Sequence, residues 1–172
     1  MDVLKNTVSD YEIIGSTEYV EVAGCKNLPA KIDTGADSSA IWASNIEMDE
    51  DGVLTFTLFA EKSPYYTGET IKTTEYQVKS IRSSHGDKQI RYHVKLPLTL
   101  GGQTFDTYFS LANRSRNHFP ILIGRRTISK KYLVDVSKSA VKRPKPEHTH
   151  RLNDEMKKDP YEFYQKYMKQ GK

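Results

Sequence analysis

The residues with the clearest chemical potential lie in Lys31-Ile-Asp-Thr-Gly-Ala-Asp37, where a carboxylate, Asp33, closes an apolar, strand-like run and is followed at once by Thr34, Gly35 and Ala36. The plain reading of such a pattern is an Asx-type turn, in which the carboxylate accepts the amides of its own loop. A chemical reading requires a second acid. Peptide hydrolysis by carboxylates alone uses two of them around one water: one takes a proton from the attacking water while the other donates a proton to the carbonyl oxygen. Two carboxylates about 3 Å apart do not both ionise easily, so their titrations belong to the pair. The chain holds no second Asp-[Ser/Thr]-Gly, since Asp51-Gly52 and Asp106-Thr107 lack the pattern. The partner expected for Asp33 is therefore Asp33 of another copy, related by a twofold axis.

A second motif raises the first above coincidence. Some ninety residues on, Pro120-Ile-Leu-Ile-Gly-Arg125 reads as an apolar strand ending in Gly-Arg. Together, Asp33-Thr-Gly-Ala-Asp37 and Ile121-Leu-Ile-Gly-Arg125 resemble the aspartic proteases of the retroviral kind, whose catalytic loop and adjoining strand carry these residues in this order. The resemblance is closer still to a bacterial family of retropepsin-like proteins, long labelled ATP-dependent zinc proteases and linked to ATP-grasp ligases. It runs from about Ile13 through Phe119-Pro-Ile-Leu-Ile-Gly-Arg-Arg126 to Val134-Asp-Val-Ser137.

What this implies can be set out residue by residue. Asp33 is the catalytic acid and base, shared between two copies, and Thr34, Gly35 and Ala36 complete its loop. Thr34 bonds across the axis to its counterpart's backbone. Gly35, lacking a Cβ, lets substrate backbone approach and offers its carbonyl to a substrate N–H. Asp37, Gly124 and Arg125 support the loop, with Arg125 as countercharge to Asp37; the bacterial relatives often carry a basic residue where Asp37 stands. A dyad also needs cover from bulk water, which weakens the electrostatics that hold its proton. Ile81 to Arg91 reads as a flap hairpin with a polar tip, Ser83-Ser84-His85-Gly86, closing over a peptide held by strand addition.

The elements that must position these residues are strands. Before residue 141 the chain alternates with period two and is rich in Val, Ile, Thr, Tyr and Phe. Strands are expected at 19–22, 30–32, 39–42, 53–59, 76–81, 89–94, 98–100, 104–109, 121–123 and 132–134. Turns are expected at Glu50-Asp-Gly52, Ser83-Ser-His-Gly86 and Gly101-Gly102. Residues 60–74 read as a polar excursion, and Gly124-Arg-Arg-Thr-Ile128 as the opening of a short helix. The fold class expected is all-β, a closed acid-protease barrel with a flap hairpin. One domain spans 11–141. From 142 to 172 follows a basic, proline-punctuated linker and a helical tail, with Asn153 as an N-cap and Tyr161 to Met168 amphipathic, interrupted at Pro160.

Bulk properties set the remaining bounds. The 172 residues suffice for one sizeable core, and 37% hydrophobic with 28% charged residues is a globular composition. No apolar run approaches the ~20 residues of a membrane span, and the N-terminus carries no signal-peptide segment, so a cytoplasmic location is the default. The single Cys25 excludes an intrachain disulfide. The net charge of +4 is concentrated in the tail; the body is close to neutral, so neither a basic groove nor a nucleic-acid partner is indicated. His148-Thr-His150 reads as solvated linker, and His85 and His93 as surface histidines. No His-Glu-x-x-His, paired-cysteine or phosphate-loop pattern occurs, so no metal and no cofactor is expected. Arg114-Ser-Arg116 with Asn113 and Asn117 reads as a soluble loop, and Trp42, Tyr65 and Tyr66 as packing aromatics. Two alternatives to the aspartic peptidase stay open: a peptide-binding or dimerisation module without turnover, and a metallopeptidase.

Overall fold

The structure, a computed structural model, describes residues 10–82, 88–142 and 147–169. The chain divides at Val141 and Lys142 into two compact units. The first contains the strands β1 (Glu12–Gly15), β2 (Thr17–Val22), β3 (Cys25–Asp33), β4 (Ser39–Met48), β5 (Leu54–Leu58), β6 (Thr70–Thr73), β7 (Tyr76–Arg82), β8 (Lys88–Leu100), β9 (Gln103–Ala112), β10 (Ile121–Gly124) and β11 (Tyr132–Asp135), with one turn of helix, α1 (Arg125–Ile128).

Six of these strands close a ring. In the order β10, β3, β2, β8, β9, β4, each is hydrogen-bonded to the next, and β4 returns to β10 through Ile41 and Ile121. Closure removes sheet edges and gives the strands a shared interior. That interior is filled by alternating side chains, among them Val22, Leu28, Ile41, Leu98, Leu100, Phe109, Ile121 and Ile123, all fully buried. The chain is thus a mostly β protein with a closed retropepsin-like barrel. β5 and β6 extend the sheet beyond β4, and β7 pairs with β8 along their described lengths from Tyr76 with Val94 to Arg82 with Lys88, the two arms of a hairpin. Apart from the barrel, β1 and β11 pair in parallel.

Local chemistry accounts for the connections. Gly101 and Gly102, both at positive φ (54° and 78°), turn β8 into β9 in the hairpin geometry that matches strand twist. β8 runs unbroken through Pro97, where two separate strands were expected. Pro97 accepts a hydrogen bond from the Ala23 amide, so its nitrogen points toward β2 where that strand has already ended. No ladder donor is lost there, and the proline is tolerated. β1 and β6 are strands that the period-two reading passed over. Both have four residues; β6 lies inside the polar excursion and alternates between exposed and half-buried positions.

The second unit is a pair of helices, α2 (Glu147–Lys158) and α3 (Pro160–Tyr167). Asn153 falls inside α2 and caps nothing. The cap belongs to Asp159, whose carboxylate accepts the Glu162 amide at 2.9 Å with Pro160 at the first helical position, where its missing N–H costs nothing. Among the described residues no helix is long and apolar enough to cross a membrane.

Candidate active site

The loop after Asp33 is built from two parallel strand ends. β3 and β10 finish side by side with Asp33 in register with Gly124. Beyond that point the Asp33 carboxylate accepts two amides of its own loop through Oδ1, Gly35 at 3.1 Å and Ala36 at 3.2 Å. Its other oxygen, Oδ2, lies 3.6 Å from the Lys31 ammonium, and the side chain is 28% exposed. Asp33 is therefore held in one rotamer and still open to the cleft.

The chain segment following β10 braces this loop from beneath. The Arg125 amide donates to the Ala36 carbonyl at 2.8 Å and the Arg126 amide to the Asp37 carbonyl at 3.2 Å. The Arg125 guanidinium forms an ion pair with the Asp37 carboxylate. Deeper in, the Gly124 amide donates to Ser39 Oγ at 3.0 Å, Ser39 Oγ lies 2.8 Å from Thr127 Oγ1, and Thr127 Oγ1 lies 2.9 Å from Thr107 Oγ1. Ser39 and Thr127 are buried, so this hydroxyl chain works where water does not compete. Position 124 must be glycine: a Cβ there would stand 2.5 Å from the Ser38 carbonyl carbon.

Asp33 opens on a cleft of about 720 Å³. Among the described residues its walls carry five cations, Lys79, Arg82, Arg91, Arg114 and Arg126, against the two carboxylates Asp33 and Asp37. Lys79 and Arg91 stand in register on the hairpin arms β7 and β8. Arg114 is anchored by its Nε, which donates to the Phe119 carbonyl at 3.1 Å. Burial, and then the charge of Arg91, pulls its guanidinium pKa below the usual arginine range, while Asp33 acts in the opposite sense. Burial also lowers Arg91.

The residues singled out in the sequence are distributed as follows. Asp33, Gly35, Ala36 and Asp37 line the cleft. Thr34 is exposed. An added Cβ at the exposed Gly35 would meet only Asp33 Oδ1, at 3.4 Å. Gly124 and Arg125 support the loop from β10 and α1. The flap-tip residues Ser83, Ser84, His85 and Gly86 lie outside the described residues. Trp42, Tyr65 and Tyr66 pack against the core.

Three expectations are corrected. The cleft is basic although the body of the chain is nearly neutral, because the fold gathers cations from β7, β8, the loop after β9 and α1. Arg114 belongs to that wall and is no mere loop residue. His93 is fully buried, not a surface histidine, and both its ring nitrogens lack a hydrogen-bond partner among the described residues. Ser110, which lines the cleft, drew no notice in the sequence. Among the described residues no group of three or more His, Cys, Asp or Glu side chains is placed to hold a metal ion.

Residues 13–145 match the model of the RimB-like family, described as the retropepsin-like aspartic endopeptidase RimB. The chain belongs to this family. It is 31% identical over 132 residues to a Shewanella pealeana protein named "Probable alpha-L-glutamate ligase", a stretch covering 74% of this chain and 29% of that protein. A Parasynechococcus marenigrum protein of the same name is 26% identical over 148 residues, 83% of this chain and 29% of its own length. The RimB-like chain thus spans about 29% of the curated relatives it matches. A solved Legionella pneumophila structure, titled as a protein with unknown function, superposes with a TM-score of 0.59 at 28% identity, covering 74% of this chain and 95% of the other.

Proposed function

We propose that this RimB-like chain is an aspartic endopeptidase whose Asp33 carboxylate pairs with that of a second copy across a twofold axis. One carboxylate accepts a proton from water as the water oxygen attacks the scissile carbonyl carbon. The other, protonated, donates to the carbonyl oxygen, and the amine leaves with a proton when the C–N bond breaks. The observation that carries this reading is the geometry of Asp33: braced by its own loop and by β10 and open on the cleft, while the other described acid of that cleft, Asp37, is engaged in an ion pair with Arg125. Thr34, exposed on its loop, is available to tie the two loops together. Exposed apolar side chains on β1 and β11, Ile13 and Leu133, offer a surface for the second copy. The flap, with Ser83 to Gly86 at its tip, closes over a peptide added as a strand.

The cationic walls support an acidic peptide as substrate, since five cations facing two carboxylates attract negative charge. Relatives that carry this domain within proteins named for glutamate ligation support the same class, glutamate-bearing chains, and a functional link to ATP-grasp ligases. A cytoplasmic setting suits both. The test is Asp33→Asn assayed on glutamate-rich peptides: cleavage is lost while folding and dimer mass are kept. Retained cleavage would exclude the aspartic mechanism.

One observation favours a second reading, a peptide-binding or dimerisation module without turnover. The Gly35 and Ala36 amides hold Asp33 as an ordinary Asx turn would. In that case the parent and Asp33→Asn bind peptides equally and neither cuts them.

A further inference from the structure

The cleft face of the barrel carries one continuous row of side chains across six strands. Lys31 on β3 is in register with Leu122 on β10, Leu122 with Ala40 on β4, Ala40 with Ser110 on β9, Ser110 with His93 on β8, and His93 with Gln77 on β7. Partners in register share a face, and Asp33 lies two residues beyond Lys31 on that same face. The row therefore runs from beside Asp33, across the cleft floor, to the hairpin.

In its middle stand two polar side chains that water does not reach. His93 is 0% and Ser110 1% exposed, and Ser110 Oγ and both His93 ring nitrogens have no hydrogen-bond partner among the described residues. Burying a hydroxyl and an imidazole without partners costs desolvation with no return, and an alanine beside a leucine would close the same sheet at less cost. Elsewhere around the cleft the buried hydroxyls are satisfied, Ser39 and Thr127 by each other. The unsatisfied pair is local, and its serine sits where the cavity reaches: Ser110, Ala40 and Leu122 all line it, as do Lys79, Arg91 and Arg126, while His93 lies beside Ser110 just behind that lining. Burial, reinforced by Lys79, Arg91 and Arg126, holds the His93 pKa at about 4, so near neutral pH the ring is uncharged and has one N–H to donate.

We propose that Ser110, with His93 beside it, is the specificity-determining floor of the substrate cleft, donating hydrogen bonds to the carboxylate of an acidic side chain whose charge Arg91, Lys79 and Arg126 offset. Neutral donors at the floor and cations on the wall give a buried carboxylate both its hydrogen bonds and its countercharge. A carboxamide of the same shape gains no charge compensation there. This rests on the peptidase reading only in taking the cleft as the substrate's place; it does not require turnover.

The test separates the two claims. In full-length Asp33→Asn, binding of a fluorescent glutamate-containing peptide and of its glutamine counterpart is measured by anisotropy. The glutamate peptide is expected to bind more tightly, and Ser110→Ala to weaken it about tenfold, the worth of one charge-assisted hydrogen bond, while the glutamine peptide changes little. His93→Gln, which keeps an N–H, is expected to retain part of the preference that His93→Leu removes, with thermal melting confirming that each variant folds. The same glutamate preference in Ser110→Ala as in its parent would overturn the proposal, and so would equal binding of the two peptides by the parent. Failure of the peptidase reading looks different: the chain with Asp33 intact cuts neither peptide, while the binding preference still depends on Ser110.

Discussion

Two regions of the same cleft are built on opposite principles. Around Asp33 nearly every polar group is satisfied within the chain: the carboxylate by the Gly35 and Ala36 amides, the loop carbonyls by Arg125 and Arg126, and the Gly124 amide by Ser39. At the floor, on β8 and β9, His93 and Ser110 are buried with their side-chain polar atoms unpaired among the described residues. A site that performs proton transfer must hold its acid still before substrate arrives, so its hydrogen bonds are made in advance. A site that recognises a polar side chain keeps donors in reserve for it. The contrast separates a preorganised centre from a receptive floor lying on one sheet face.

Breaking the preorganised side has the largest expected consequence. Asp33→Asn removes the proton acceptor and should lower the cleavage rate by about 10³-fold, with the melting temperature nearly unchanged, since one carboxylate oxygen becomes an NH2 group while the other remains as the carbonyl oxygen that accepts the loop amides. Gly124→Ala attacks the brace and leaves the acid in place. Its Cβ would press on Ser38 backbone at 2.5 Å, so a loss of about 3 kcal/mol in denaturant-measured stability is expected, together with lost activity as the loop shifts. A stability equal to the parent's would mean that the loop yields freely and that the proposed brace does not hold it.

The receptive side is sharpened by pH. His93 has a folded pKa of about 4 against an ordinary 6.5, lowered by burial and by Lys79, Arg91 and Arg126. Between those values the unfolded chain binds a proton that the folded chain refuses, so stability is at its plateau above pH 6.5 and falls as pH drops toward 4. The contribution amounts to about 3 kcal/mol. Denaturation curves at pH 7 and pH 4.5 should show that part of the loss disappearing in His93→Gln. The smallest effect is expected at the rim, where the Arg125 and Asp37 side chains are 63% and 56% exposed. Arg125→Ala should cost no more than about 1 kcal/mol, because exposed ion pairs are screened and because the loop is held mainly by backbone amides that the substitution leaves in place.

The Asp33 loop and its brace were legible because each is a short contiguous pattern. Asp33-Thr-Gly35 and Ile121 to Arg125 stand out through their resemblance to the retropepsin-like pattern, and the glycines at 101 and 102 mark a hairpin by their need for positive φ. The cleft wall was not legible. Lys79, Arg82, Arg91, Arg114 and Arg126 are scattered through a neutral body, and no run of charge announces them. His93 misled for a related reason. It alternates with Arg91 and Lys95, so period two assigns it to an outer polar face, but in the fold that face is the cleft floor and His93 is sealed within it. Asn153 was taken for a cap because its type favours one, whereas the helix begins earlier and the proline at 160 gives the cap to Asp159.

By itself the sequence determined the motif at position 33, the strand character of the body and, for the proposed dyad, the need for a second carboxylate, because these follow from residue type, period and the presence of a single motif. Only the tertiary structure decided that the barrel closes through β4 and β10, that, among the described residues, five dispersed cations share a cleft with Asp33 and Asp37, and that a histidine and a serine lie buried without partners there. The physical reason is that register between strands distant in the chain decides which side chains share a face, and no local pattern encodes that register.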